Sequence, residues 1–215
     1  MSLWVIKIGT SLLRGTPSKP TSQIIRELSD CIALNKKKGE EIVLVTSGAV
    51  GLGCHKLKLN KRPDDLVSLQ AAAAIGQGHL ISLYSAEMDK HDFKVAQILL
   101  TRSDLKSQKG FKNASMTLKK LLKWGVLPVV NENDTVSSEE IDYGDNDTLS
   151  ALLSTAIGAN QLILLTDIDK LYSEDPKVNE KAEPISDIHH LNELKSIEES
   201  YSSKGKWGTG GIKTK

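Results

Sequence analysis

The chain alternates between short runs of apolar residues and longer segments in which apolar residues recur every three or four positions. The short runs, such as 3–8 and 41–46, are almost continuously apolar, which is typical of β-strands buried on both faces. The longer segments, such as 21–38, have the spacing of helices that bury one face. The predicted strands cover residues 3–8, 41–46, 93–100, 126–130 and 161–166, and the predicted helices cover residues 21–38, 66–90, 111–124 and 149–157.

Strands that alternate with helices in this way predict a single-domain α/β fold. We expect a three-layer αβα sandwich in which helices cover both faces of a mainly parallel central sheet. Gly76 and Gly78 lie inside the predicted helix 66–90, and they mark either a close approach of another element or a break. From residue 171 onwards the chain is more polar, and we expect one short strand and one helix there.

Composition narrows the class of protein. The 215 residues include 28 Lys and Arg against 27 Asp and Glu, so the formal net charge is +1 and no surface for nucleic acid is indicated. The 2 cysteines and 5 histidines show no metal-ligand spacing. We expect no apolar run long enough to span a membrane, and the N-terminus resembles a strand more than a signal peptide. A cytoplasmic protein is therefore expected.

Two acidic, amide-rich clusters lie between the predicted strand 126–130 and the predicted helix 149–157. They are Asn131-Glu132-Asn133-Asp134-Thr135 and Tyr143-Gly144-Asp145-Asn146-Asp147-Thr148. Turns and helix caps also favour Asp and Asn, so a structural role is an alternative, but one cap needs only one such residue. Ligands bind open α/β sheets beyond the carboxyl ends of the strands. The clusters therefore predict a site for ammonium, carboxylate or metal-bound phosphate groups.

Small residues follow the first two predicted strands. Lys7-Ile8-Gly9-Thr10-Ser11 joins a lysine to a loop whose N–H groups can bind an anion, although an ordinary strand lysine and turn would have a similar sequence. The segment from Thr46 to Gly53 also offers free backbone N–H groups after a strand. Its glycine spacing is not that of a dinucleotide-binding fingerprint, and the chain has no P-loop pattern. A nucleotide site must therefore be built in another way.

The C-terminal segment offers that other way. It reads Gly208-Thr209-Gly210-Gly211-Ile212-Lys213-Thr214-Lys215, and a glycine-rich loop with two lysines suits the β- and γ-phosphates of ATP. A flexible basic tail would have a similar composition. Asp167 follows the predicted strand 161–166 and is placed to meet a nucleotide at the end of that strand.

Together these motifs resemble those of the amino acid kinase family, and they follow the family's order along the whole chain. The matching segments are Lys7-Ile8-Gly9-Thr10-Ser11, Val45-Thr46-Ser47-Gly48-Ala49, Ala71-Ala72-Ala73-Ala74-Ile75-Gly76-Gln77, Gln97-Ile98-Leu99-Leu100-Thr101, Pro128-Val129-Val130-Asn131-Glu132-Asn133-Asp134, Gly144-Asp145-Asn146-Asp147, Leu164-Leu165-Thr166-Asp167 and Gly208-Thr209-Gly210-Gly211. Within the family, the Asn-Glu-Asn-Asp and Gly-Asp-Asn-Asp segments indicate glutamate as the acceptor.

The resemblance implies a role for each matching residue. Lys7 and Lys215 would contact the phosphates of ATP and act in catalysis, and Asp147 would orient both lysines. The residues implied to bind L-glutamate are Ser47, Gly48, Ala49, Asp134, Asp145 and Asn146. The residues implied to bind ATP are Lys7, Gly9, Thr166, Asp167, Thr209, Gly210, Gly211, Ile212, Lys213, Thr214 and Lys215.

The implied reaction moves the γ-phosphoryl group of ATP, with Mg²⁺, to the side-chain carboxylate of L-glutamate, which is the first step towards proline. The resemblance also implies feedback inhibition by proline, a homo-oligomer and a partnership with glutamyl phosphate reductase. The kinase domain of the family continues past the residue that matches Lys215, often into a PUA domain, so the domain at 1–215 is expected to lack its C-terminal end. Two alternatives stay open: an impaired fragment that only binds glutamate, proline or a partner subunit, and a kinase for another acceptor.

Overall fold

Five parallel strands form the central sheet of the computed structural model, which describes residues 1–136, 145–167, 170–174, 179–190 and 192–194. The strands are β1 (Leu3–Ile8), β2 (Glu41–Val45), β3 (Val95–Leu100), β4 (Leu127–Glu132) and β5 (Gln161–Leu165). They lie in the order β3-β4-β2-β1-β5, and each neighbouring pair is parallel. Outside this sheet, β6 (Leu171–Tyr172) and β7 (Pro184–Ile185) form an antiparallel pair, where we expected a single strand.

Helices connect the strands of the sheet. They are α1 (Thr10–Leu13), α2 (Thr21–Lys37), α3 (Ala49–Lys56), α4 (Leu66–Asp89), α5 (Arg102–Lys106), α6 (Gln108–Lys123) and α7 (Asp145–Ile157). The long helices were predicted from their periodicity. The helices α1, α3 and α5 were not, because 4, 8 and 5 residues are too few to show a helical repeat.

Two separate cores lie on opposite faces of the sheet. Val5 and Val43 pack with apolar residues of α6 and α7, whereas their neighbours Ile6 and Ile42 pack with residues of α2 and α4. Successive side chains of a strand point to opposite faces, so the continuous apolar runs of β1 and β2 supply both cores. The helices on the two faces and the sheet between them form three layers. The predicted three-layer αβα fold with a mainly parallel sheet is confirmed.

The strand before the acidic clusters is longer than predicted, and the helix after them begins earlier. Asn131 and Glu132 are the last residues of β4, where they pair with Leu99 and Leu100 of β3. Asn146 and Asp147 lie in the first turn of α7, which begins at residue 145. Asp and Asn are favoured at helix N-termini, where they meet free N–H groups. Asp145 and Thr148 of the second cluster belong to α7 as well. The prediction that both clusters lie wholly in a loop is therefore wrong at these six positions.

Two glycines bring α3 and α4 unusually close together. A Cβ atom at Gly53 would lie 1.8 Å from the carbonyl oxygen of Ala72, and a Cβ atom at Gly76 would lie 1.8 Å from that of Ala49. Gly76 therefore marks a close approach, while Gly78 faces open space and α4 continues through both. Because Ala49 is the first residue of α3, this contact holds the loop that follows β2.

Helix α4 corrects the expectation that no apolar run is long enough to span a membrane. Its 24 residues include an 18-residue window with a mean hydropathy of 1.3, and in the described part of the chain it is the one helix that could cross a bilayer by length and composition. About a third of that window, 33%, is buried inside the protein. Leu80, Tyr84 and Met88 belong to the core that α4 shares with α2. A core helix passes the same length and composition test, so the signal is weak evidence for a membrane span.

Candidate active site

A cavity of about 1210 Å³ opens where the carboxyl ends of β1, β2, β4 and β5 meet. It is lined by ten predicted site residues: Lys7, Gly9, Ser47, Gly48, Ala49, Asp134, Asn146, Asp147, Thr166 and Asp167. These residues come from four strand ends and from the start of α7, and they are spread over 160 positions of the chain. The parallel sheet thus brings the predicted residues to one edge, as such sheets do with ligand-binding residues.

A buried ion pair lies on the α7 side of this cavity. Lys7 is two residues after Val5, so its side chain is on the same face of β1 and points towards α7. Its Nζ atom is 2.6 Å from Oδ1 of Asp147, and the two side chains are only 8% and 3% exposed. The structure therefore places Asp147 where it can orient Lys7, as predicted from the resemblance. A lysine held in this way is a fixed positive charge at the cavity wall.

The loop after β2 presents backbone N–H groups to the same cavity. Gly48 adopts a positive φ of 91° and caps the N-terminus of α3, whose first residue is Ala49. Most side chains are strained in that backbone conformation, which explains the glycine. The first N–H groups of a helix have no partner inside the helix and favour negative charge. Gly48, Ala49 and Val50 line the cavity, so this helix end is available to an anionic group of a ligand.

Asn146 links α7 to the ends of β2 and β4. Its Nδ2 atom donates to the Thr46 carbonyl oxygen at 2.8 Å, to Ser47 Oγ at 2.8 Å and to Asn131 Oδ1 at 3.1 Å. A backbone carbonyl can only accept, so the amide nitrogen must face Thr46 and the orientation of the Asn146 amide is determined. Its Oδ1 atom is then buried without a hydrogen-bond partner among the described residues. A ligand that supplies an N–H group would satisfy this oxygen.

Asp134 lies in the turn after β4 and is half-buried at the cavity wall. Burial raises the pKa of its carboxyl from 3.8 to about 6, and the nearby positive charge of Arg62 acts in the opposite direction. The carboxylate is therefore ionised at neutral pH but is less well solvated than a surface aspartate. Arg62 offsets only part of this effect, because the pKa stays raised, and the ammonium group of a ligand could stabilise the carboxylate further.

The end of β5 supplies the remaining described residues of the predicted nucleotide pocket. Thr166 and Asp167 follow Leu165, and the Thr166 hydroxyl donates to Asp167 Oδ1 at 3.3 Å. The backbone N–H of Gly9 donates to the Leu165 carbonyl oxygen at 3.1 Å, which ties the end of β1 to the end of β5. Gly9, Thr166 and Asp167 therefore line one side of the cavity together.

Part of the predicted site falls outside the described residues. This applies to Thr209, Gly210, Gly211, Ile212, Lys213, Thr214 and Lys215, and to the side chain of Asp145. The predicted contact between Asp147 and Lys215 thus stays a prediction. Asp145 is described only as the first residue of α7.

One polar residue of the cavity wall and two polar residues behind it were not predicted. Arg62 lines the cavity next to Asp134. Gln77 and Tyr84 reach the strand ends from α4, where they contact Asn131 and Thr46. The period-two pattern of β2 and β4 could have indicated the last two contacts, because Thr46 follows Ile42 and Leu44 on the face that packs against α4. Nothing in the local sequence singles out Arg62.

The described residues suit a nucleotide that brings its own Mg²⁺, so that the protein need not coordinate the metal with a set of side chains. Among them, no group of three or more His, Cys, Asp or Glu side chains is arranged to hold a metal ion. Mg²⁺ commonly keeps its waters and binds substrate phosphates with few protein carboxylates. Lys7 and the N-terminus of α3 would meet the phosphates, and the triphosphate itself would carry the metal.

The comparisons with known proteins agree with this geometry. The model of the amino acid kinase family matches residues 2–215. The chain belongs to the amino acid kinase family. It is 60% identical over 215 residues to a protein of Prochlorococcus marinus named glutamate 5-kinase, and it covers 59% of that protein. It is also 59% identical to the glutamate 5-kinase of Synechococcus sp. (strain CC9605), again over 59% of that protein and all of this chain.

Solved structures confirm the fold of this amino acid kinase. The isopentenyl phosphate kinase of T. acidophilum superposes with a TM-score of 0.61 at 18% identity, over 93% of this chain and 84% of that one. The aspartate kinase of Synechocystis superposes with a TM-score of 0.55 at 17% identity, over 85% of this chain and 31% of that one. At these identities the likeness concerns the fold alone. The chain spans about 59–60% of the length of the curated relatives that it matches.

Proposed function

We propose that this amino acid kinase transfers the γ-phosphoryl group of ATP to the side-chain carboxylate of L-glutamate and forms L-glutamyl 5-phosphate. The observation that carries the proposal is one cavity lined by both a cation and acceptors. Asp147 holds the Lys7 ammonium at the cavity, and Asn146 and Asp134, which line the same cavity, supply the acceptors. Relatives at 54–60% identity that are named glutamate 5-kinase support the same acceptor.

The chemistry needs no general base. A glutamate side chain has a pKa of about 4.3, so the attacking carboxylate is already ionised at neutral pH. The main obstacle is the repulsion between this carboxylate and the triphosphate, and catalysis consists of positioning and charge stabilisation. Lys7 holds a positive charge at the place where the two anions meet. The N–H groups at the start of α3 stabilise an anionic group of either substrate. Mg²⁺ on the triphosphate supplies further positive charge.

The α-ammonium group of glutamate suits the acceptors Asn146 and Asp134. Asn146 Oδ1 is a buried acceptor without a partner among the described residues, and Asp134 is a poorly solvated carboxylate. Both would gain a hydrogen-bond or ionic partner when the ammonium binds, and such charge-assisted bonds are the stronger ones. Ser47 Oγ accepts from Asn146, so its own proton can be directed to a substrate carboxylate. These assignments place the γ-carboxylate towards Lys7.

The rest of the proposal concerns the whole protein. In this proposal the segment from Thr209 to Lys215 would complete the nucleotide pocket, and Lys215 would act with Lys7 on the transferred group. The product, an acyl phosphate, hydrolyses readily, which favours a partnership with the reductase that consumes it. Inhibition by proline, a homo-oligomer and a cytoplasmic location belong to the same proposal.

An acceptor assay tests the proposal. Hydroxylamine converts an acyl phosphate into a hydroxamate, whose Fe³⁺ complex is coloured. The protein is incubated with Mg²⁺-ATP and hydroxylamine, and with glutamate, N-acetylglutamate, aspartate or carbamate in turn. We expect product with glutamate and little with N-acetylglutamate, because acetylation removes the ammonium that Asp134 and Asn146 would bind. Lys7→Ala serves as the inactive control. Faster turnover of one of the other acceptors would overturn the assignment to glutamate.

A further inference from the structure

We infer that Gln77 of α4 is a positioning residue for the amino-acid substrate, because it fixes the amide of Asn131 and, through it, the acceptor atom of Asn146. Neither Gln77 nor Asn131 lies among the residues that the motifs assign to glutamate. The inference deepens the proposed function, on which it rests for the identity of the substrate. The hydrogen bonds that join the amides of Gln77, Asn131 and Asn146 do not depend on the identity of the substrate.

The first step concerns the direction of Asn131. On β4, Leu127 and Val129 belong to the core shared with α2 and α4. Asn131 continues this alternation and therefore points towards α4, where it is 2% exposed. Its Nδ2 atom donates to Gln77 Oε1 at 2.7 Å, and Gln77 is itself only 8% exposed. Without Gln77 a buried amide donor would lose its acceptor, which is costly in a position that water does not reach.

The second step concerns what the bond to Gln77 determines. Asn131 Oδ1 accepts from the backbone N–H of Glu132 at 2.9 Å and from Asn146 Nδ2 at 3.1 Å. Gln77 holds the nitrogen end of the Asn131 amide while Glu132 holds its oxygen end. The amide plane is therefore fixed from both sides, and Asn131 presents only an acceptor to Asn146. Asn131 thus acts together with the Thr46 carbonyl and Ser47 Oγ, which also accept from Asn146 Nδ2. The three acceptors hold the Asn146 nitrogen at the strand ends, and its Oδ1 atom stays without a partner among the described residues.

The third step concerns why the residue at 77 is a glutamine. Gln77 Nε2 is buried and has no hydrogen-bond partner among the described residues. The oxygen of this side chain is therefore the part that the network uses, and the nitrogen contributes no bond there. A side chain of the same length with an acceptor in the same place should keep the network, whereas an apolar side chain of similar length should break it. Glutamate and methionine are these two replacements.

Kinetics of three variants test the inference. We expect Gln77→Met to raise the KM for glutamate about tenfold, with the KM for ATP and kcat within about twofold of wild type. Glutarate lacks the ammonium group, so the preference for glutamate over glutarate should fall by the same factor. Gln77→Glu should stay within about threefold of wild type, because it keeps the acceptor. The matched control is Tyr84→Phe, which removes another buried polar contact of α4, the one to Thr46. This variant should leave both KM values and the preference for glutamate over glutarate unchanged.

A second measurement separates this inference from the proposed function. The side-chain amide signals of Asn131 and Asn146 are assigned by NMR in the substrate-free protein. Gln77→Met should move both pairs of signals, whereas Gln77→Glu and Tyr84→Phe should leave the Asn146 pair in place. If the protein phosphorylates no glutamate but the signals respond as expected, the proposed function fails and the positioning of Asn146 stands. Unmoved Asn146 signals, or equal changes in the KM values of glutamate and ATP for Gln77→Met, would overturn the inference.

Discussion

The two faces of the sheet contribute different chemistry to one cavity. On the α7 face the contact is a buried ion pair, with Lys7 Nζ 2.6 Å from Asp147 Oδ1. On the α4 face a series of neutral amides begins at Gln77 and runs through Asn131 to Asn146 at the start of α7. An ammonium group held by a carboxylate can stabilise negative charge that develops beside it, whereas amides with fixed donors and acceptors can orient a ligand. If the proposed function is correct, charge stabilisation and substrate orientation depend on different residues, and each can be disturbed without the other.

The largest expected effect comes from Lys7→Ala. Removing a preorganised charge from the transferred group should lower kcat by roughly 10²- to 10³-fold, and the KM for glutamate should change far less. The variant also leaves Asp147 buried without its partner, which should lower the free energy of unfolding by about 3–5 kcal/mol. Steady-state kinetics and urea unfolding measure the two effects.

Two controls separate charge from stability in this experiment. The double variant Lys7→Met/Asp147→Asn removes both charges, so it should regain much of the lost stability and none of the lost activity. The surface pair between Lys19 Nζ and Glu27 Oε2 is nearly as short, at 2.7 Å, but both side chains are 49% exposed. Lys19→Ala should therefore cost less than about 1 kcal/mol. Equal turnover in Lys7→Ala, with only weaker glutamate binding, would refute the role of Lys7.

The next effect concerns the packing of α4 against α3. Gly76→Ala should destabilise the protein by about 3 kcal/mol or more, because the added Cβ would lie 1.8 Å from the Ala49 carbonyl oxygen and the helices would have to separate. Gly78 is the matched control on the same helix, since nothing lies within 4 Å of an added Cβ there. Gly78→Ala should stabilise the helix by up to about 1 kcal/mol. Thermal unfolding of both variants measures the contrast, and similar shifts would contradict the close approach of α3 and α4.

The sequence predicts the position of the Lys7 charge better than it predicts the amide network. Continuous apolar runs predict the strands and their parallel order, and the position of Lys7 at the end of the first run predicts a cation at the sheet edge. The amide network joins residues that are 54 and 15 positions apart. The alternation along β4 indicates that Asn131 faces α4, but no local pattern predicts that Asn146 meets Asn131. The boundaries of β4 and α7 were wrong for a related reason. Pairing with β3 extends β4 into polar residues that resemble a loop when read alone.

A smaller effect concerns Asp134, the half-buried carboxylate that lies next to Arg62 at the cavity wall. Its pKa of about 6 lies above the value of 3.8 expected for the unfolded chain. The fold therefore favours the protonated carboxyl, and this contribution to stability is present below about pH 3.8 and is lost as the pH rises through 6. Asp134→Asn should consequently be more stable than wild type at pH 7. Unfolding at pH 4 and pH 7 measures this difference.

The same residue should make glutamate binding depend on pH in the opposite direction. An ammonium group binds the ionised carboxylate, so the KM for glutamate should rise as the pH falls below about 6. Asp134→Asn should raise this KM roughly 10- to 100-fold at pH 7 and remove the dependence near pH 6. The KM for ATP is the internal control. If the ATP value rose instead, Asp134 would belong to the nucleotide side of the cavity.

The smallest effect tests whether every polar contact of α4 serves the substrate. Tyr84 is fully buried, its hydroxyl lies 3.1 Å from Thr46 Oγ1, and burial raises the pKa of the hydroxyl so that it stays neutral. Thr46 Oγ1 also lies 3.5 Å from the Ser47 carbonyl oxygen, so it keeps an acceptor when the tyrosine hydroxyl is removed. Tyr84→Phe should therefore cost only about 1 kcal/mol of stability, with no change in either KM. A rise in the glutamate KM would mean that α4 orients the substrate through Thr46 as well as through Gln77, and that the positioning network is broader than the three amides.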